Sequence, residues 1–400
     1  ERGAKSDYWP SRTPVGIGER NRRHQYRLGV LINDQIYKHA RMNNQIQTLT
    51  TQVIILLQNL IATSSFSQEE QHTADLIEQF LKTHGVDAQR NKHNIWAKNR
   101  YFDPEKPVIL LNSHHDTVYP NQGYTRDPFS PDIQDGKLYG LGSNDAGGAL
   151  TCLLATFLYF FERTDLPFNL IYAATAEEEI SGSDGVDLLL PTLGKVDFAI
   201  VGEPTKMQMA IAEKGLMVLD GVAHGRAGHA AREEGDSALY KALDDIAWIR
   251  QHQFPLVSDI MGPVKMSVTV IKSGSQHNVV PDLCEFTVDV RVNELYTLEE
   301  VLAEMQRHVQ SELRPRSLRM RSSIIPLEHP LVRAGLLLGR EYYGSPTTSD
   351  KALMSFPTLK MGPGDSARSH TADEFIYVSE LETGVEIYIQ LLEKLQETLA

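Results

Sequence analysis

The 400-residue chain has only two cysteines, Cys152 and Cys284, which lie far apart and match no metal or redox spacing. With no disulfide framework, the expectation is a reducing, cytoplasmic setting in which both thiols act as small buried hydrophobes. Long apolar runs are missing as well. The longest, Ala149 to Phe161, has 13 residues, short of the roughly 20 that cross a bilayer, and it reads as a core helix. Basic charge is also scarce. The 39 Lys and Arg against 52 Asp and Glu leave a formal net charge of −13, which argues against nucleic acid or an anionic membrane as partner. Repeats and low-complexity tracts are absent from the sequence.

The acid is unevenly placed. Residues 1–41 hold nine Lys and Arg and four Asp and Glu, so residues 42–400 carry −18. Carboxylates that bind divalent cations would neutralise part of that excess. Residues 1–41 are rich in Arg, Pro, Gly and Asn without a sustained apolar period, and the expectation is a non-native or disordered extension, a basic partner-binding arm being the alternative. From Ile46 through Ile61 the apolar positions follow a helical stripe. Ser65 and Ser67, with Glu69 and Glu70 behind them, predict the N-cap of a helix running to about Lys82, ended by Gly85.

Strands and helices then alternate. Strands are expected near 93–98, 108–112, 168–174 and 197–202, with a helix near 146–162, a pattern of a largely parallel, helix-covered sheet. After Pro204 the order changes to strand 215–223, helix 236–251, strands 264–272 and 283–292, and helix 297–312, with a closing strand near 318–324. That is a ferredoxin-like unit. The fold class is therefore α/β, with a catalytic domain over 42–212 and 325–400 and an inserted α+β domain over 213–324.

Five words carry chemistry. Residues 113–120, Ser-His-His-Asp-Thr-Val-Tyr-Pro, follow the apolar block Val108–Leu111; this is either a polar turn or a ligand histidine with an orienting carboxylate. Gly140-Leu-Gly-Ser-Asn-Asp145 fails the dinucleotide pattern, because its third glycine is replaced by Asp145. What remains is a carboxylate on a small-residue loop before a helix. Glu177, Glu178 and Glu179 stand side by side after an apolar strand, where mutual repulsion calls for cations or protons. Glu203 ends another apolar strand, and the loop from Gly362 delivers His370. At strand ends on one sheet edge, two His and three carboxylates suit a pair of divalent ions, Zn2+ before Co2+ or Mn2+.

In order, spacing and wording, residues 42–400 resemble the co-catalytic zinc amidohydrolases that include acetylornithine deacetylase, succinyl-diaminopimelate desuccinylase and bacterial glutamate carboxypeptidases. The words Ser143-Asn-Asp-Ala-Gly-Gly148 and Ala176-Glu-Glu-Glu-Ile-Ser-Gly182 look most like the acetylornithine deacetylase branch. The resemblance implies a zinc-peptidase-like catalytic domain with an inserted lid and dimerisation domain. It further implies that His114 and Glu203 hold one zinc, that Glu179 and His370 hold the other, and that Asp145 bridges them. Asp116 would orient His114, leaving His115 as a variable spacer, and Glu178 would be the general base. Glu177 and Ser113 stand where the family commonly has aspartate and glycine. His229, in Ala227-Gly-His-Ala-Ala231, would reach the partner's active site in a homodimer as oxyanion donor. Asn278 and Arg291 would meet the substrate carboxylate. The remaining histidines, such as His72, His84, His252 and His308, are expected on exposed helices and loops.

The implied reaction is hydrolysis of an N-acyl amino acid, N-acetyl-L-ornithine foremost, with N-succinylornithine and N-acetylcitrulline as alternatives. A dipeptidase or carboxypeptidase would share every catalytic residue. A serine hydrolase built on Ser366 and His370 lacks a nucleophile elbow, and a silent binding protein would be expected to have lost Glu178 or Asp145.

Overall fold

The computed structural model describes residues 42–399; the expected extension over 1–41 lies outside the described residues. The larger compact unit begins at Leu49, and residues 42–48 before it are helical. Within the unit the order is α1 (residues 49–61), α2 (Gln71–Thr83), β1 (Gln89–Asn91), β2 (Asn94–Lys98), β3 (Val108–His114), α3 (Gly148–Phe160), β4 (Asn169–Thr175), α4 (Val186–Leu193), β5 (Phe198–Val201) and β6 (Met209–Glu213). There follow β7 (Gly215–His224), α5 (Ala238–Gln251), β8 (Lys265–Ser273), β9 (Leu283–Val292), α6 (Leu298–His308) and β10 (Glu312–Pro315). The chain then returns through β11 (Ser323–Ile324), α7 (Pro330–Leu337), β12 (Tyr342–Ser345), β13 (Thr358–Lys360) and α8 (Val378–Leu399).

The large sheet runs β1-β2-β4-β3-β5-β13-β6-β11, with β12 beside β6. Its centre, β4-β3-β5-β13, is parallel, and its margins at β1-β2-β4 and β13-β6-β11 are antiparallel. The parallel pairing expected from the alternation thus holds through the centre, and again where β12 runs parallel to β6. Every residue of β3 and β4 is buried, which is why their sequences are continuous apolar runs: a parallel strand is covered on both faces. Every residue of α3 is buried as well, and each large apolar side chain so placed contributes about 1.5–3 kcal/mol. Cys152, on this helix, and Cys284 are both buried free thiols.

The second sheet is antiparallel in the order β8-β9-β7-β10, the strand order of a ferredoxin-like unit inserted between β6 and β11. Burial alternates along β7 and β9, so one face meets α5 and α6. There Met217, Leu219, Phe286, Val288, Ala242, Ile249, Val301 and Met305 form a core. Thr297 opens α6 with a reciprocal capping box to Glu300. Two expectations shift here. The helix ends at His308 rather than 312, because Val309 is already extended. The closing strand is Glu312–Pro315, whereas Ser323–Ile324 pairs with β6 of the large sheet. Among the described residues no helix is long and apolar enough to cross a membrane.

Candidate metal centre

Parallel register puts the ends of β3, β4, β5 and β13 on one edge: His114 lies opposite Thr175, Asn112 opposite Val201, and Val201 opposite Lys360. Ligand sites gather at such carboxyl ends. His114 is the last residue of β3, the three glutamates follow β4, Glu203 follows β5, and His370 lies in the loop after β13. Asp145 comes from the turn ahead of α3. That turn needs Gly142, whose φ is +76° and where a Cβ would stand 2.6 Å from the methyl of Thr117.

The five expected ligands converge. His114, Asp145 and Glu203 form one group and Asp145, Glu179 and His370 another, with the ligand atoms of each group within 4.8 Å of one another. His114 Nε2 lies 3.4 Å from Asp145 Oδ1 and 3.8 Å from Glu203 Oε1. His370 Nε2 lies 3.0 Å from Glu179 Oε2 and 3.6 Å from Asp145 Oδ2. Asp145 is common to both groups and turns one oxygen to each. Glu178 Oε2 stands 3.9 Å from His114 Nε2 and belongs to neither group.

A layer of hydrogen bonds holds these groups from behind. Asp116 approaches His114 Nδ1 to 3.4 Å and accepts the N–H of Glu178 and of Glu179, each at 3.1 Å, and the hydroxyl of Ser67 at 2.7 Å. It therefore ties the end of β3 to the glutamate loop. Glu70 accepts the N–H groups of Gln68 and Glu177, and Glu374 accepts those of Gly142, Asn144 and Asp145. His115 turns away from the ligands. It meets Thr73 Oγ1 at 2.9 Å and the carbonyl of His93 at 3.0 Å, and burial pushes its imidazole down to about 4. As expected it is not among the ligands, and its bonds tie β3 to α2 and to the turn at His93. Of the other histidines, His72 and His308 are exposed, while His84 and His252 are half-buried.

The electrostatics reflect acids crowded in a dry place. Burial, then the nearby charge of Asp145, pushes Glu203 up to about 8. Burial raises Glu178 well above the usual carboxylate range, with Glu203 and Glu179 adding to it, and raises Glu179 as well. The hydrogen bond to Glu179 lifts His370 to about 9. Carboxylates so placed hold their charge only beside cations. Two imidazoles and three carboxylates, one of them shared, form a donor set that fits a pair of borderline divalent ions.

Beside the centre lies a cavity of about 320 Å³ lined by Asp145, Glu178, Glu179, Glu203, Ser366, Ser369 and His370 together with Tyr343, Ser345, Thr347, Thr348 and Lys360. The sequence pattern did not single out Lys360, Glu70 or Glu374. A lysine in the apolar strand Thr358–Lys360 was the available signal for the first; Glu70 sits in a word that looks like an ordinary cap, and Glu374 closes the word that delivers His370. His229, Asn278 and Arg291 do not line the cavity. His229 and Asn278 are exposed neighbours on a two-stranded ribbon of the inserted unit, where Ala230 N–H donates to the Asn278 carbonyl. Arg291 is engaged by both oxygens of Asp289 and reaches Thr348 Oγ1, on the cavity wall, at 3.3 Å.

Known proteins share this arrangement of chain. Residues 110–394 match the model of peptidase family M20/M25/M40. The chain is 29% identical to an acetylornithine deacetylase of Proteus mirabilis (strain HI4320) over 376 residues, 85% of this chain and 96% of that protein. It is 26% identical to a succinyl-diaminopimelate desuccinylase 2 of Ruegeria sp. (strain TM1040) over 276 residues, 64% of this chain and 69% of that one. A dinuclear metal-binding peptidase of Bacillus subtilis superposes with a TM-score of 0.66 at 18% identity, covering 88% of this chain and 99% of the other. With the match spanning most of its length, this chain belongs to peptidase family M20/M25/M40 and is a hydrolase of the peptidase and amidohydrolase type.

Proposed function

We propose that the protein hydrolyses the amide bond of an N-acylated amino acid at a two-metal centre. The observation that carries this reading is the pair of donor groups sharing Asp145, with Glu178 beside them and free of both. His114 and Glu203 would hold one ion, Glu179 and His370 the other, and Asp145 would serve both. Zn2+ suits the mixed donors best, with Co2+ or Mn2+ as substitutes. When bound, such a pair lowers the pKa of water and polarises the scissile carbonyl.

The chain's own residues do the rest. Glu178 accepts the proton of the attacking water and returns it to the departing amine; burial keeps its affinity for protons high. Asp116 fixes the imidazole of His114 and the loop that carries Glu178. His229 would supply an oxyanion donor to the partner subunit of a homodimer. Its exposure, and its absence from the cavity of its own chain, support that role. So does the exposed edge strand β8, which bears Val270 and Ile271 at 44% and 46% exposure. Arg291 and Asn278 would bound the substrate carboxylate as the domain of residues 213–324 closes like a lid over the catalytic domain of 42–212 and 325–400.

For the substrate we take N-acetyl-L-ornithine, cleaved to ornithine and acetate in arginine biosynthesis in the cytoplasm; the support for that substrate is the name of the Proteus relative, acetylornithine deacetylase. A peptidase is the second reading, favoured by the name of the Bacillus relative. Rates of the zinc-loaded protein on N-acetylornithine, N-succinylornithine, N-acetylcitrulline and a dipeptide panel separate the two. N-acetylornithine is expected to lead; a dipeptide faster by orders of magnitude would show the deacylase reading to be wrong.

A further inference from the structure

Lys360 ends β13 with its side chain only 5% exposed, and it is the sole Lys or Arg lining the cavity among the described residues. A buried ammonium is costly unless paired and fully hydrogen-bonded. Its bonding here is incomplete. One contact has ordinary length, 3.0 Å to Thr347 Oγ1; the Thr347 carbonyl and Glu213 Oε2 both stand at 3.5 Å. Glu213 is itself buried and already accepts the N–H and hydroxyl of Ser349. Burial disfavours the charge of Lys360, and the Glu213 carboxylate beside it offsets that cost. Among its acids the cavity thus carries one cation, bonded to the Thr347 hydroxyl on a stretch of wall that also holds Ser345 and Thr348.

That wall has the chemistry of a carboxylate subsite. An ammonium with weakly used donors, next to hydroxyls, can exchange its two long contacts for charge-assisted bonds to an incoming anion. Arg291, proposed above to bound the substrate carboxylate on closure, is paired with Asp289 in this conformation and lies outside the cavity lining, so it would be a second contact to the anion that Lys360 meets. We infer that Lys360 binds a carboxylate of the substrate and sets the enzyme's preference for N-acyl amino acids whose carboxylate is free. The inference rests on the amide-hydrolase reading above. The carboxylate is either the α-carboxylate of the amino acid or the terminal one of a dicarboxylic acyl group.

The test uses the full, zinc-loaded chain and three substrates: an N-acetyl-L-amino acid, its α-carboxamide, and the N-succinyl counterpart of that carboxamide. Lys360→Met should raise KM for the free acid by about 10- to 100-fold, the usual weight of a charge-assisted bond, while the carboxamide changes less than about threefold. The same penalty on the succinyl carboxamide alone would place the anion in the acyl group instead. Thr347→Val removes the one normal-length acceptor with little change of shape, and it decides the question should Lys360→Met fold poorly. It should weaken the anionic substrates in the same selective way, by about 3- to 10-fold. Equal losses on acid and carboxamide, or loss of a metal from either variant, would make Lys360 a mere counter-charge for the centre and overturn the inference. If the wild-type protein cleaves none of the three, the amide-hydrolase reading itself has failed, a different outcome.

Discussion

His114 and His115 are adjacent, both buried, and opposite in role. The first ends β3 with Nε2 among Asp145, Glu178 and Glu203; the second leaves the strand on the other face and is held at both ring nitrogens by Thr73 and His93. His115→Ala should keep two metals per subunit yet cost about 1–3 kcal/mol, because partners are left unpaired in the interior. His114→Ala should lose one metal at little further cost. Metal analysis and urea unfolding of the two variants check this. Lys351 gives a pH-dependent case. Burial pushes its ammonium down to about 8, below the 10.4 or so of an unfolded lysine. Between these values the unfolded chain binds more protons, so stability rises with pH through that window, by about 3 kcal/mol in all. Below pH 8 the full burial cost is present. Lys351→Met should therefore gain stability relative to wild type near pH 7, and the gain should shrink by pH 10.

The elements were legible where local pattern decides them, and the site was legible where it sits at their ends. Val108–Leu111, Asn169–Ala174 and Phe198–Val201 announce buried strands by their apolar runs, and each is followed by its polar word. Supports that depend on distant partners were not legible. The serines before α2 look like N-caps, yet the helix begins at Gln71 without a side-chain cap, and Ser67 instead donates to Asp116, 49 positions away. Glu70, in the same word, is drawn inward to hold the N–H of Glu177. Asp116 is the joint between β3 and the glutamate loop. In Asp116→Asn one acceptor becomes an NH2 group facing backbone N–H. Affinity for the metals should fall by about 10- to 100-fold, as for other lost outer partners of metal ligands, and isothermal titration with Zn2+ would detect it.

At the scale of the whole molecule, a sheet with a parallel centre carries the metal edge, and an antiparallel unit with its own core is inserted beside it. The β-α-β-β-α order announced the second unit, but its last strand was misplaced. Glu312–Pro315 ends in a proline, which weakens the strand signal although an edge position tolerates it. The more strand-like Ser323–Ile324 pairs elsewhere. In the homodimer proposed above, the exposed Val270 and Ile271 on edge strand β8 would form the contact between copies. Val270→Glu with Ile271→Lys should yield monomers that retain both metals and lose turnover, provided His229 acts across the interface; sedimentation alongside assay checks it. The division of labour between ligands and base is tested most directly by metal content and turnover of Glu178→Ala, measured on the same preparation. Two metals per subunit with turnover lowered by roughly 10²–10⁴-fold is the predicted result. Turnover within a few-fold of wild type, or loss of a metal, would contradict the assignment of Glu178 as the base.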